Sequence, residues 1–178
     1  EIDWFYQGGA ARVYPDHWQE FVEAIPDAER QDLLAAYYKR LTGDNELARM
    51  GAAKAWAKWE AHTSTLMPSK TVLDAFMQPH TAVSLARLET HYFVNAGFLK
   101  PNQILDNMNK IKNIPGTIVQ GRYDMVCPMQ SAYDLYEAWP NAELDIIPDA
   151  GHSATERGIV DALVRATISY GKKFGDGA

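Results

Sequence analysis

The sequence predicts an α/β fold that is uneven along the chain, with a helical first portion and a short parallel sheet near the C-terminus. Two observations carry this reading. From Pro15 to about Gly97 the apolar residues recur at helical spacing and no convincing strand is present. After Gly97 the pattern becomes strand, helix, strand, helix, with β-branched runs bounded by turn residues.

In chain order, "DHWQEFVEAI" places Asp16 as an N-cap, with Trp18, Phe21, Val22 and Ile25 along one face and Pro26 as the stop. "DAERQDLLAAYYKRL" offers Asp27 as the next N-cap. Its stripe is Leu33, Leu34, Tyr37, Tyr38 and Leu41, and "TGD" at 42–44 ends it. "NELARMGAAKAWAKWEAHTS" reads as a long amphipathic helix with Leu47, Met50, Trp56 and Trp59 prominent. "TAVSLARLETHYFVNAG" reads as a fourth, closed by Asn95 and Gly97.

"GTIVQG" is then a strand, and "PMQSAYDLYEAWP" a helix with Ala132, Leu135, Tyr136 and Trp139 on one side. "AELDIIP" is a second strand. "ERGIVDALVRATISYGKKF" is a final helix whose expected buried set is Ile159, Leu163, Ala166 and Ile168. Such a series forms a right-handed parallel βαβ unit. Two parallel strands alone leave both edges open and one face uncovered, so they predict the edge of a larger sheet, supplied by a partner chain or a longer protein. The same open edge predicts self-association as a homo-oligomer.

Bulk properties exclude several classes. Seventeen Lys and Arg against 23 Asp and Glu give a net charge of -6, which opposes nucleic acid and anionic membrane surfaces. No apolar run approaches the roughly 20 residues of a membrane helix, and "EIDWFYQGG" is unlike a signal peptide. The single cysteine, Cys127, fits a reducing compartment, so a cytoplasmic location is expected. No zinc-type ligand spacing occurs.

Chemistry concentrates at Asp124 in "GRYDMVCP" and His152 in "DAGHSATE", each just beyond a strand. Loops at the carboxyl ends of consecutive parallel strands share a rim, where a carboxylate can hold an imidazole in one tautomer. The alternative is structural: Asp124 caps the following helix, and His152 satisfies a helix start near Ser153. Trp56 and Trp59 read as core. His17, His62, His80 and His91 show no partner pattern and read as surface or helix-packing residues.

The two loops resemble the acid and histidine loops of the α/β-hydrolase fold, whose triad runs nucleophile, acid, histidine. "AAKAWAKWE", "SLARLETHYFVNAGFL" and "EIDWFYQGGAARVYPDHWQEF" are in turn similar to the cap domain of proline iminopeptidases. The resemblance covers essentially the whole chain. It implies a partial α/β-hydrolase fold, with a helical cap and leading linker over residues 1–110 and the C-terminal part of the core over 111–178. It implies Asp124 and His152 as catalytic, with Glu60 and Glu89 as carboxylates that recognise the substrate amine. Val126 and Cys127 would shape the pocket for a proline ring, Cys127 being equally well explained as a small buried hydrophobe. Arg87 is a mundane alternative partner for either glutamate. The substrate would be a small peptide with N-terminal proline, and neither cofactor nor metal is implied.

One departure stands out: the family's Gly-x-Ser-x-Gly elbow is absent from these 178 residues. Ser153 and Ser169 lack its flanking glycines. The expectation is a C-terminal portion that is inactive without an N-terminal portion carrying the serine. Two other readings stay open: another capped hydrolase, such as an esterase or epoxide hydrolase, and a non-catalytic peptide-binding fragment.

Overall fold

The computed structural model describes residues 1–175, which fall into two compact units, Glu1–Pro101 and a C-terminal unit beginning at Asn102. The division precedes the boundary at 110/111 drawn from the sequence, because the helical turns at 103–106 and 108–110 belong to the second unit.

The first unit is helical, and its described residues contain no strand. Its helices are α1 (Ile2–Tyr6), α2 (Pro15–Glu23), α3 (Leu33–Thr42), α4 (Glu46–Thr63), α5 (Lys70–Phe76) and α6 (Pro79–Val94). Two expected caps are corrected. Helix α2 starts at Pro15 with Tyr14 as N-cap, since proline's missing N–H costs nothing at the first helical position. Asp16 therefore lies in the first turn. Asp27 instead opens a 3-10 turn, and the cap of α3 is Asp32, whose carboxylate accepts the Ala35 N–H at 3.0 Å. Leu47, expected on the apolar stripe, is exposed.

The core of this unit is aromatic. Phe5, Tyr6, Phe21, Tyr37, Trp56 and Trp59 are all buried, with Tyr6 stacked on Trp56 at 4.4 Å and Phe21 on Tyr37 at 4.5 Å. Such ring pairs add about 1 kcal/mol each beyond the area they bury. The Tyr37 hydroxyl donates to the Phe21 carbonyl at 2.6 Å, so the phenol is buried without leaving a polar orphan. His17 and His62 stack face to face at 3.8 Å, joining α2 to α4 as packing residues.

The second unit contains α7 (Gln103–Asp106), β1 (Gly116–Gly121), α8 (Met129–Ala138), β2 (Ala142–Ile147) and α9 (Arg157–Phe174). The strands pair in parallel with register Gly116↔Ala142 through Gly121↔Ile147, so both end at the same level. Ile147, Ala150, Ile159 and Ala162 form the core, with Val119 packed against them. The expected buried face of α9 is corrected at two positions. Leu163 and Ile168 are exposed, together with Val160 and Val164, while Ala162 takes the buried place. With only two strands beneath it, α9 buries one narrow stripe and leaves a second apolar stripe open. No helix among the described residues is long and apolar enough to cross a membrane.

Candidate active site

The site begins with the meeting of two loops. Beyond the last ladder pair, the Arg122 N–H donates to the Ile147 carbonyl at 2.9 Å and the Tyr123 N–H to the Ala150 carbonyl at 3.0 Å. The loop after β1 is thereby stitched to the loop after β2. Gly121 permits the approach, because a Cβ there would lie 1.9 Å from the Gly151 carbonyl oxygen. Gly121→Ala is expected to force the backbones apart and to cost about 3 kcal/mol. A drop in the urea midpoint, with loss of the His152 contact by NMR, would show it; an unchanged midpoint would mean that the loops yield freely.

This stitching delivers Asp124, only 7% exposed, against His152. His152 Nδ1 donates to Asp124 Oδ2 at 3.0 Å, so that whenever the ring is neutral its basic nitrogen is Nε2. The other carboxylate oxygen, Oδ1, accepts the N–H groups of Val126 and Cys127 at 3.0 and 2.8 Å. Gln120, on β1, donates its amide to Asp124 Oδ2 at 3.2 Å and to the Cys127 carbonyl at 3.1 Å. The buried carboxylate thus receives four donors. On the histidine side, Glu156 accepts the Gly151 N–H at 2.8 Å.

Neither Asp124 nor His152 caps the helix that follows it. Helix α8 has Pro128 at its N-cap without a side-chain cap, and Asp124 spends Oδ1 on the loop instead. Helix α9 begins beyond His152, with Glu156 at its N-cap and no side-chain cap. Ser153 bonds to Thr155.

The Asp124 hydrogen bond, and then the Cys127 side chain, push His152 up to about 10 against the opposing effect of burial. Because the folded value lies above the unfolded 6.5, the stabilisation is fully present below about pH 6.5 and is lost as pH rises through about 10. Urea midpoints should therefore fall between pH 6.5 and 10 more steeply in this chain than in His152→Gln. Parallel curves would mean that the ring contributes nothing to stability.

In the helical unit, Glu60 is 6% exposed and accepts the Tyr6 hydroxyl, and Glu89 accepts the Trp56 indole N–H at 2.6 Å. Since Tyr6 stacks on Trp56, one aromatic pair anchors both carboxylates. Trp56 and Trp59 are core, as their spacing predicts. Val126 and Cys127 are half-buried, and both hold Asp124 through their backbone N–H groups.

Two polar residues of these sites escaped the sequence reading. Tyr6 lies in a five-residue helix with no cap signal, and Gln120 interrupts an otherwise apolar strand as the one long polar side chain, a signal that was available.

Known proteins match nearly the full length of this chain. Proline iminopeptidases of Xylella fastidiosa (strain Temecula1 / ATCC 700964) and Xanthomonas citri are 51% and 52% identical over 171 residues, which is 96% of this chain and 55% of each relative. The proline iminopeptidase of Arabidopsis thaliana is 52% identical over 168 residues, 93% of this chain and 44% of the relative. The chain thus spans about half the length of the curated relatives it matches. No family model matches it.

Proposed function

This chain is a homologue of proline iminopeptidases, and from that premise we propose that it is the C-terminal portion of a serine exopeptidase that releases N-terminal proline from peptides. The observation that carries the proposal is the Asp124–His152 pair, 3.0 Å apart on the loops after two consecutive parallel strands.

In this reading a serine outside the 178 residues attacks the amide carbonyl. His152 takes its proton at Nε2 and returns it to the leaving amine, while Asp124 holds Nδ1–H and stabilises the imidazolium. Glu60 and Glu89 take the charged substrate amine: a carboxylate set among aromatic rings attracts a cation more strongly than one in water. A neutral ester would need no such anionic pair, which favours the peptidase over an esterase. Val126 and Cys127 shape the pocket for the proline ring. The helical unit corresponds to a cap and the second unit to the end of an α/β-hydrolase core. The open apolar stripe of α9, Val160, Leu163, Val164 and Ile168, fits contact with the remainder of that core.

The test is hydrolysis of a chromogenic proline amide by this chain alone and after mixing with a polypeptide that carries the remaining half of a relative. Turnover in the mixture only supports the proposal. Turnover by the chain alone would place the nucleophile within it, and silence in both would overturn the hydrolase reading.

A further inference from the structure

Asp124 Oδ2 receives two donors, His152 Nδ1 at 3.0 Å and Gln120 Nε2 at 3.2 Å. The Gln120 amide also reaches the Cys127 carbonyl at 3.1 Å. Both of its contacts are to acceptors, which assigns the amide nitrogen to this side. Gln120 itself is set by the ladder, opposite Ile146 in the parallel register. One rigid strand position therefore ties together the acid, the loop that carries it and, through the shared oxygen, the histidine.

We propose that Gln120 is a positioning residue that tunes the basicity and aim of His152 by sharing Asp124 Oδ2. Its catalytic meaning rests on the hydrolase reading above, whereas its electrostatic effect does not. Besides Asp124, the Cys127 side chain acts on His152, and Gln120 meets Cys127 only at its backbone carbonyl. At Asp124 a neutral donor on Oδ2 draws off part of the carboxylate's charge and so weakens its hold on the imidazolium. Oδ1 stays pinned by the N–H groups of Val126 and Cys127, so removal of Gln120 leaves the carboxylate in place and its second oxygen free for histidine alone. The sign follows: without Gln120, His152 becomes more basic.

The experiment is an NMR titration of the His152 ring nitrogens in this chain, comparing Gln120 with Gln120→Met and Gln120→Glu. Methionine keeps the length and removes the donor, and glutamate adds a charge beside Asp124. The His152 midpoint is expected to rise by about 0.5 pH in Gln120→Met and by more in Gln120→Glu. Should Gln120→Met not fold, Gln120→Leu removes the same donor without adding charge and answers the same question. An unchanged midpoint, or a fall toward the free-histidine value, overturns the proposal.

The assembled enzyme supplies a second readout. There the acid limb of kcat/KM should move to higher pH by the same amount in Gln120→Met, with KM at the plateau unchanged. Absence of turnover sinks the hydrolase reading and leaves the titration result standing.

Discussion

In the proposed assembled peptidase, Asp124→Asn is expected to lower kcat on a proline amide by about ten-thousand-fold, with little change in KM. The geometry dictates which way the new amide turns. The position of Oδ1 accepts two backbone N–H groups, from Val126 and Cys127, so the asparagine carbonyl must lie there. Its NH2 is then turned onto His152 Nδ1, where the carboxylate oxygen sits now. A donor facing Nδ1 drives the ring proton to Nε2, which then has no lone pair left to accept one. The same substitution should bring the His152 midpoint in this chain down from about 10 toward 6.5. Near-wild-type turnover in Asp124→Asn would show that the pair is structural, whatever its geometry.

Glu60→Gln is the second large effect. The amide oxygen can still accept from the Tyr6 hydroxyl, so the fold contact survives while the charge is lost. KM for substrates with a free N-terminal proline should rise about 100-fold, the scale for removing one partner of a buried ion pair. Hydrolysis of an uncharged ester by the same enzyme should be nearly unchanged. Stability should hold or increase, because a buried carboxylate carries a desolvation cost. Equal losses on charged and neutral substrates would assign Glu60 to packing alone.

The strands were legible because their signals are local. "GTIVQG" and "AELDII" are β-branched runs closed by turn residues, and the structure ends them at Gly121 and Ile147. Helix caps were legible only in part. Asp16 and Asp27 look like N-caps in isolation, but Pro15 sets the start of one helix and Pro26 leads into a 3-10 turn. The short helices α1 and α5 lack the length for a period to declare itself. The buried face of α9 was misread because a helix with apolar residues on two stripes buries whichever one meets a neighbour. Asp124 and His152 were visible through loop placement, whereas the contact of Tyr6 with Glu60 spans 54 positions, which no local pattern encodes.

The in-phase ladder, Gly116↔Ala142 to Gly121↔Ile147, also determines where the gene tolerates length change. Residues added to the turn between Ala138 and Ala142 lengthen a connection and leave the strand ends aligned. A single-codon deletion inside 116–121 has a different outcome. It slips every later position by one, turns Gln120 to the opposite face and puts a side chain where only Gly121 fits against Gly151. Indels in this region should therefore accumulate in the crossover and be purged from the strand, a mutational asymmetry that a deletion scan would read directly.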